Sequence, residues 1–193
     1  MRRQGHAGRA KLFVISAPSG CGKTTLCNKL VEDNLGLVKS VSMTTRRARI
    51  GEADGVDYRF VSEKRFREIA KKDGFLEYEN NFGHMYGTPR DFVEDNLKRG
   101  VSVLLSIDVK GAMKVRSAHP GDSVLIFLLP PSAAALKRRL RSRESEDRRS
   151  LSRRLGLAEE EMSYKDVYDY RIVNDRLDHA HKKLKDVITS ESK

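Results

Sequence analysis

Tryptophan is absent from this chain of 193 residues, cysteine occurs twice and aromatics make up only 7%. Cys21 and Cys27 stand six positions apart, with no second pair and no histidine at ligand spacing. That excludes a disulfide-stapled scaffold and a zinc finger, and it suits a reducing cytoplasm. Long apolar runs are also lacking. The best, "VLIFLL" from Val124 to Leu129, is far short of the roughly 20 residues that span a bilayer, so no membrane partner is expected. The opening "MRRQGHAGRA" is basic and has no apolar segment. It does not read as a secretory signal, and residues 1–10 are expected to be a disordered basic N-terminus.

Acidic residues are in deficit, 27 against 38 lysines and arginines, for a net charge of +11. Such an excess suggests a polyanionic partner. The basic residues gather in "TTRRAR" (44–49) and "KRRLRSRESEDRRSLSRR" (137–154). The second stretch is helical in spacing and includes Glu144, Glu146 and Asp147. No RNA-binding aromatic signature, helix-turn-helix pattern or zinc pattern accompanies them, so nucleic acid is not the expected partner. Arginines gathered around small phosphates explain the same residues. The five histidines form no metal or triad arrangement.

What the chain does contain is "VISAPSGCGKTTL" (14–26). "LFVIS" (Leu12–Ser16) reads as a buried strand and "TTLCNKL" (Thr24–Leu30) as the start of a helix. Between them the pattern G-x-x-x-x-G-K-S/T is met by Gly22, Lys23 and Thr24, with Ala17 at the opening glycine. Gly20 and Gly22 can turn successive N–H groups inward, and the helix start adds partial positive charge. Lys23 adds a full charge, and the Thr24 hydroxyl suits a magnesium ion. The plain alternative is a strand–turn–helix with glycines for the turn. As a phosphate site, the loop comprises Ala17, Pro18, Ser19, Gly20, Cys21, Gly22, Lys23, Thr24 and Thr25.

Further along, "VKSVSMTTR" (38–46) alternates like a strand, and a short strand is expected at Tyr58–Val61. A helix follows Ser62 and stops at Gly74. Two short strands in 75–87 flank a turn at Asn80–Gly83. The helix in "TPRDFVEDNLKRG" is expected to have Thr88 as cap, Pro89 at its first position and Gly100 past its end. "VSVLLSID" (101–108) and "SVLIFLLPP" read as buried strands. Helices are expected over "SAAALKRRLRSR" and from about Leu151 to Tyr170, then a strand at 171–175 and a helix from Leu177 with Ala180, Leu184 and Val187 on one face. Continuous apolar strands alternating with helices predict an α/β fold with a parallel sheet flanked by helices. Residues 42–87 break that rhythm as a small β-rich insertion.

"SMTTRRARIGEADGVDYRFV", "FLEYENNFGHMYGTPR", "SIDVKGA", "LLPPS" and "YRIVND" follow the phosphate loop in that order. Together they resemble guanylate kinases of the nucleoside-monophosphate kinase class, over about Lys11 to Ile188. The resemblance implies transfer of the γ-phosphoryl group of ATP to GMP with Mg²⁺, dGMP being also admissible, in purine nucleotide metabolism. It implies a domain over 11–193: a core (11–41, 88–131 and 159–193), a GMP-binding insertion (42–87) and a lid (132–158). Arg46, Arg49, Tyr58 and Tyr86 match the positions that hold the GMP phosphate. Glu77 matches the position that reads guanine, with Ser42 and Thr88 beside the base. A carboxylate there accepts from both N1–H and the 2-amino group, donors that adenine lacks. On its own, Glu77 reads as an exposed strand carboxylate and the tyrosines as packing residues. Asp108 matches a Walker-B-like position and, with Thr24, serves the metal. The family usually has two carboxylates there, and Ser106 stands in place of the first. Arg139, Arg143 and Arg154 match lid arginines that reach the transferring phosphate, though each alone reads as part of a solvated helix face. Asn174 and Asp175 fall where the family contacts adenine. Catalysis is thereby assigned to Lys23, Arg49, Arg143 and Arg154, and needs no general base. Two other readings stay open: a non-catalytic guanylate-kinase-like module that binds peptides, and a related kinase with another phosphorylated acceptor. The oligomeric state is left open as well.

Overall fold

A computed structural model describes residues 10–33, 35–141 and 148–193. The expected strand is β1, Leu12–Ser16, and the expected helix α1, Lys23–Glu32. The single strand expected over 38–46 is two, β2 (Leu37–Lys39) and β3 (Met43–Thr44), which lie in different sheets. Leu37 packs with one core cluster and Val38 against the other, so the alternating pattern does not mark where the chain leaves the main sheet. Next come β4 (Arg59–Phe60) and α2 (Glu63–Lys71), whose cap Ser62 accepts from Arg65 N–H at 3.2 Å. The stop assigned to Gly74 falls one residue earlier, where Asp73 takes a left-handed φ of 54°.

Strands β5 (Phe75–Asn81) and β6 (His84–Pro89) form a hairpin closed by Phe82 and Gly83, both at positive φ. Two such residues give the turn the twist of its strands. Helix α3 runs Arg90–Lys98, one residue later than expected. Pro89 takes the capping position and Thr88 does not cap, because its hydroxyl is used elsewhere. Strand β7 is Ser102–Ser106 and stops before Asp108, which instead caps α4 (Val109–Ala118) through a 2.8 Å bond from Gly111 N–H. The sequence reading missed α4, whose apolar face is short and interrupted by Lys110, Lys114 and Arg116. Then follow β8 (Ser123–Leu129), α5 (Ala133–Arg141) and α6 (Arg148–Ser163). The helix expected to reach Tyr170 ends at Ser163, and a 3₁₀ turn at Lys165–Val167 leads into β9 (Tyr170–Val173). Helix α7, Leu177–Glu191, closes the chain.

The main sheet has the order β2-β7-β1-β8-β9 and is parallel throughout. Phe13 and Ile15 pack on one side against Leu26 and Leu30 of α1 and Ala180, Leu184 and Ile188 of α7. Ile188, rather than the expected Val187, completes that buried stripe. Leu12 and Val14 pack on the other side against Val93 of α3 and Ala112 and Val115 of α4. Period-two alternation with both faces covered is why these strands read as unbroken apolar runs. Residues of the β-rich stretch build a second sheet, β4-β3-β6-β5, in which β5 and β6 are antiparallel. Among the described residues no helix is long and apolar enough to cross a membrane.

Candidate functional site

The loop after β1 turns through Cys21 N–H donating to Pro18 O, with Gly20 at φ 88° and Gly22 at φ 81°. Gly22 is required twice over. Its φ is left-handed, and a Cβ there would lie 2.7 Å from Asn174 Nδ2. That Nδ2 donates to Cys21 O at 2.7 Å and props the loop from β9's end. Ala17 is buried, and the positive-φ positions of the loop are Gly20 and Gly22, so a Cβ at the pattern's opening position is accommodated. No side chain caps α1. Its first N–H groups are left for a ligand. Lys23 Nζ donates to Ile107 O at 2.8 Å, which draws the ammonium to the end of β7.

A cleft of about 330 Å³ runs from this loop to the second sheet. It brings together residues 17–25, Ser42, Arg46, Arg49, Tyr58, Glu77, Tyr86, Ser106, Asp108 and, from α6, Arg154. Opposite the loop, Arg46 donates two 2.9 Å bonds to the Glu52 carboxylate and lies 5.4 Å from the Tyr58 ring centre. Against the cost of burial, the Arg46 fork and the Arg49 N–H hold the Glu52 carboxyl below its ordinary value. Tyr58 and Tyr86 meet edge to face at 5.9 Å. The Arg49 side chain is exposed to the cleft.

Glu77 on β5 is 7% exposed. Thr88, buried beside it on β6, donates its hydroxyl to Glu77 Oε1 at 2.5 Å. Burial pushes the Glu77 carboxyl up to about 7, the Thr88 bond opposing this and the Asp108 charge adding to it. A Cβ at Gly111 would stand 2.6 Å from Glu77 Oε2, so α4's first turn must present bare backbone here. Asp108 itself is committed. One oxygen caps α4 and the other accepts from Asn81 Nδ2 on β5. Ser106 lies close enough to Cys27 to share a hydrogen bond, and burial raises that thiol despite it.

Arg139 and the Asn174 carbonyl meet at 3.2 Å on the far side of the loop, with Asp175 exposed next to them. These three do not line the cleft described above. Arg143 lies outside the described residues, as do 1–9 of the segment expected to be disordered. Helix α6 is continuous through residue 158, so the lid boundary read from the sequence falls within a helix. Among the cleft residues that escaped the sequence reading are Glu52, Asn81 and Glu161. Glu52 and Asn81 are ordinary polar residues in the sequence, and their partners Arg46 and Asp108 are known only from the fold. Glu161 on α6 is the last of three consecutive glutamates, and nothing in their spacing singles it out. Burial pushes its carboxyl up to about 7, while Lys23 and the Ser19 N–H pull it down and the Asp108 charge adds to the rise.

The guanylate kinase family model matches residues 9–191. A guanylate kinase of Wolbachia pipientis wMel is 47% identical over 180 residues, covering 93% of this chain and 90% of its own. One from Caulobacter vibrioides is 42% identical over 191 residues, covering 99% and 90%. The crystal structure of guanylate kinase from Anaplasma phagocytophilum superposes with a TM-score of 0.83 at 37% identity, covering 96% of this chain and 88% of that one.

Proposed function

The chain belongs to the guanylate kinase family and is a kinase, an ATP:GMP phosphotransferase; from that premise we propose how its residues divide the work. The observation that carries the division is a shared cleft with the glycine loop at one end and buried Glu77 at the other. The loop, residues 17–25, takes the phosphates of ATP. Its N–H groups and Lys23 meet charge that is spread over several oxygens. Asn174 and Asp175 take the adenine side, and Arg139, which donates to the Asn174 carbonyl, serves ATP as a lid arginine. Ser42, Arg46, Arg49, Tyr58, Tyr86 and Thr88 surround GMP, and Glu77 accepts from guanine N1–H and the 2-amino group. Glu52 holds the Arg46 fork in place before the phosphate arrives, which lowers the ordering cost of binding.

Bound Mg²⁺ would supply neutralisation of the nucleotide's phosphate charge. Thr24 and Asp108 are hard oxygen donors in the cleft, which suits that ion. Each Asp108 oxygen accepts one bond and keeps lone-pair capacity, so with Thr24 it would hold the ion or a water of its shell. No cluster of three ligating side chains occurs among the described residues, as fits an ion that arrives on nucleotide phosphates. The acceptor phosphate is already ionised and needs no base, so this chain's contribution is alignment and charge. Arg154 and Arg143, with residues 132–158 as lid, supply the late positive charge. The lid, the insertion at 42–87 and a cytoplasmic location belong to this reading.

A coupled assay with GMP, dGMP, AMP and UMP tests the assignment. Turnover with GMP well above AMP and UMP is expected; equal turnover with AMP would remove Glu77 from base reading. Arg46→Ala is expected to weaken GMP binding by about 1.5–3 kcal/mol, since a charge-assisted contact is lost and Glu52 is left beside the acceptor. ATP binding should hardly change. Calorimetry on both ligands checks this, and equal losses would show that Arg46 does not serve the acceptor.

A further inference from the structure

The main sheet sets β7 between β1 and β2. Lys39 on β2 pairs with Leu104, and Ser106 on β7 pairs with Ile15. Leu104 and Ser106 are two apart, so Lys39 and Ser106 share the face that α1 covers. Lys39 Nζ donates to Asn28 Oδ1 of α1 at 2.7 Å. Lys23 Nζ donates to Ile107 O, next to Ser106, at 2.8 Å. The two ammonium groups thus approach the end of β7 from its two sides, and Lys23, Lys39 and Ser106 all line the cleft. Burial raises the Cys27 thiol, while Ser106 and the charges of Lys23 and Lys39 oppose the rise, so both charges reach one point. Each ammonium is held by a neutral oxygen, and neither is in an ion pair among the described residues. An ammonium has three donors, and one is used in each case. Ser106 is uncharged and neutralises neither. Two like charges at one cleft repel until an anion lies between them. A polyphosphate has the charge and the length to meet both.

We propose that Lys39 is a second phosphate-binding cation, which with Lys23 holds the phosphates of ATP across Ser106. The proposal rests on the reading of the loop as the ATP site. Asn28 aims Lys39 from α1, the helix that the loop itself begins, whereas Arg46 and Tyr58 adjoin the second sheet. That assigns Lys39 to the donor nucleotide and not to GMP. Serine at 106 is part of the arrangement. A carboxylate there would draw both ammonium groups into ion pairs and repel the phosphates.

Calorimetric titration of the full chain with tripolyphosphate and with GMP tests it, with a chelator present so that only the protein's own charges are read. Tripolyphosphate carries the charge without the base. Lys39→Met and Lys39→Gln are expected to bind tripolyphosphate about tenfold more weakly and with a shallower salt dependence, while GMP affinity stays the same. Lys39→Gln keeps a donor for Asn28 and decides the matter if the methionine variant fails to fold. Asn28→Ala removes the tether and keeps the ammonium, so it should lose less than about threefold. Ser106→Asp should weaken tripolyphosphate binding about tenfold, and adding Lys39→Met to it should cost little more, because the new carboxylate has already paired with the ammonium. Unchanged tripolyphosphate binding in the Lys39 variants, or a loss for GMP alone, would overturn the proposal. So would an equal loss in Asn28→Ala, since the lysine would then act only by tying β2 to α1. Lys23→Ala separates the two ideas. If it weakens tripolyphosphate binding while the Lys39 variants do nothing, only the Lys39 proposal fails. If Lys23→Ala binds tripolyphosphate as well as the unaltered chain, the loop reading fails and takes the proposal with it.

Discussion

Lys23→Ala is expected to lower turnover by about a thousandfold or more and to leave the fold standing. The ammonium is the one full positive charge the loop supplies, and it is aimed by a 2.8 Å bond to Ile107 O. In the transition state, charge spreads over the transferring group's oxygens, so a fixed cation there is worth more than in the ground state. The structural cost is small by comparison. One bond to a carbonyl is worth about 1 kcal/mol, and the half-buried side chain contributes nothing to either apolar cluster. The measurement pairs steady-state turnover with thermal unfolding. Near-normal turnover in a folded variant would remove the loop from catalysis.

Glu77→Gln is expected to reduce the preference for GMP over AMP by well over tenfold. The amide keeps the shape but turns one acceptor into a donor that faces guanine's own N–H groups. A mispaired buried polar group costs about 1–3 kcal/mol, and here the lost negative charge adds to it. An unchanged preference would refute the base-reading role. The same residue gives a pH signature. Without nucleotide its carboxyl is raised from 4.5 to about 7 by burial. Guanine's donors favour the ionised form, so GMP should bind more weakly as pH falls through about 7 and should release protons on binding near neutrality. For folding, the sign is opposite to that of a salt-bridged carboxylate. The native state holds the proton in a range where the unfolded chain has lost it, so this group makes stability fall as pH rises from about 4.5 to about 7. Glu77→Gln abolishes that share of the slope and the pH dependence of GMP binding. Denaturant titrations and calorimetry across the range check both.

The sequence by itself determined the elements whose signals are local. β1, α1 and the loop between them follow from an apolar run, two glycines and "GKT", all within fifteen residues. The parallel sheet followed from strands apolar on both faces, and the hairpin from its turn residues. The ordered motifs of the family identified the activity.

Tertiary structure decided what depends on distant residues meeting. Thr88 reads as a helix cap until β5 and β6 pair and bring its hydroxyl to Glu77, eleven residues away. Asp108 reads as the end of a strand until α4 begins there, and its second oxygen is taken by Asn81, 27 residues upstream. Asn174 holds the loop carbonyl of Cys21 from 153 residues away. Glu161 is the last of three consecutive glutamates, and only the packing of α6 brings it into the cleft. Backbone periodicity and glycine conformation are properties of a few adjacent residues, so composition and spacing reveal them. The partner of a polar side chain is fixed by how sheets and helices pack, and the spacing of nearby residues carries no record of it.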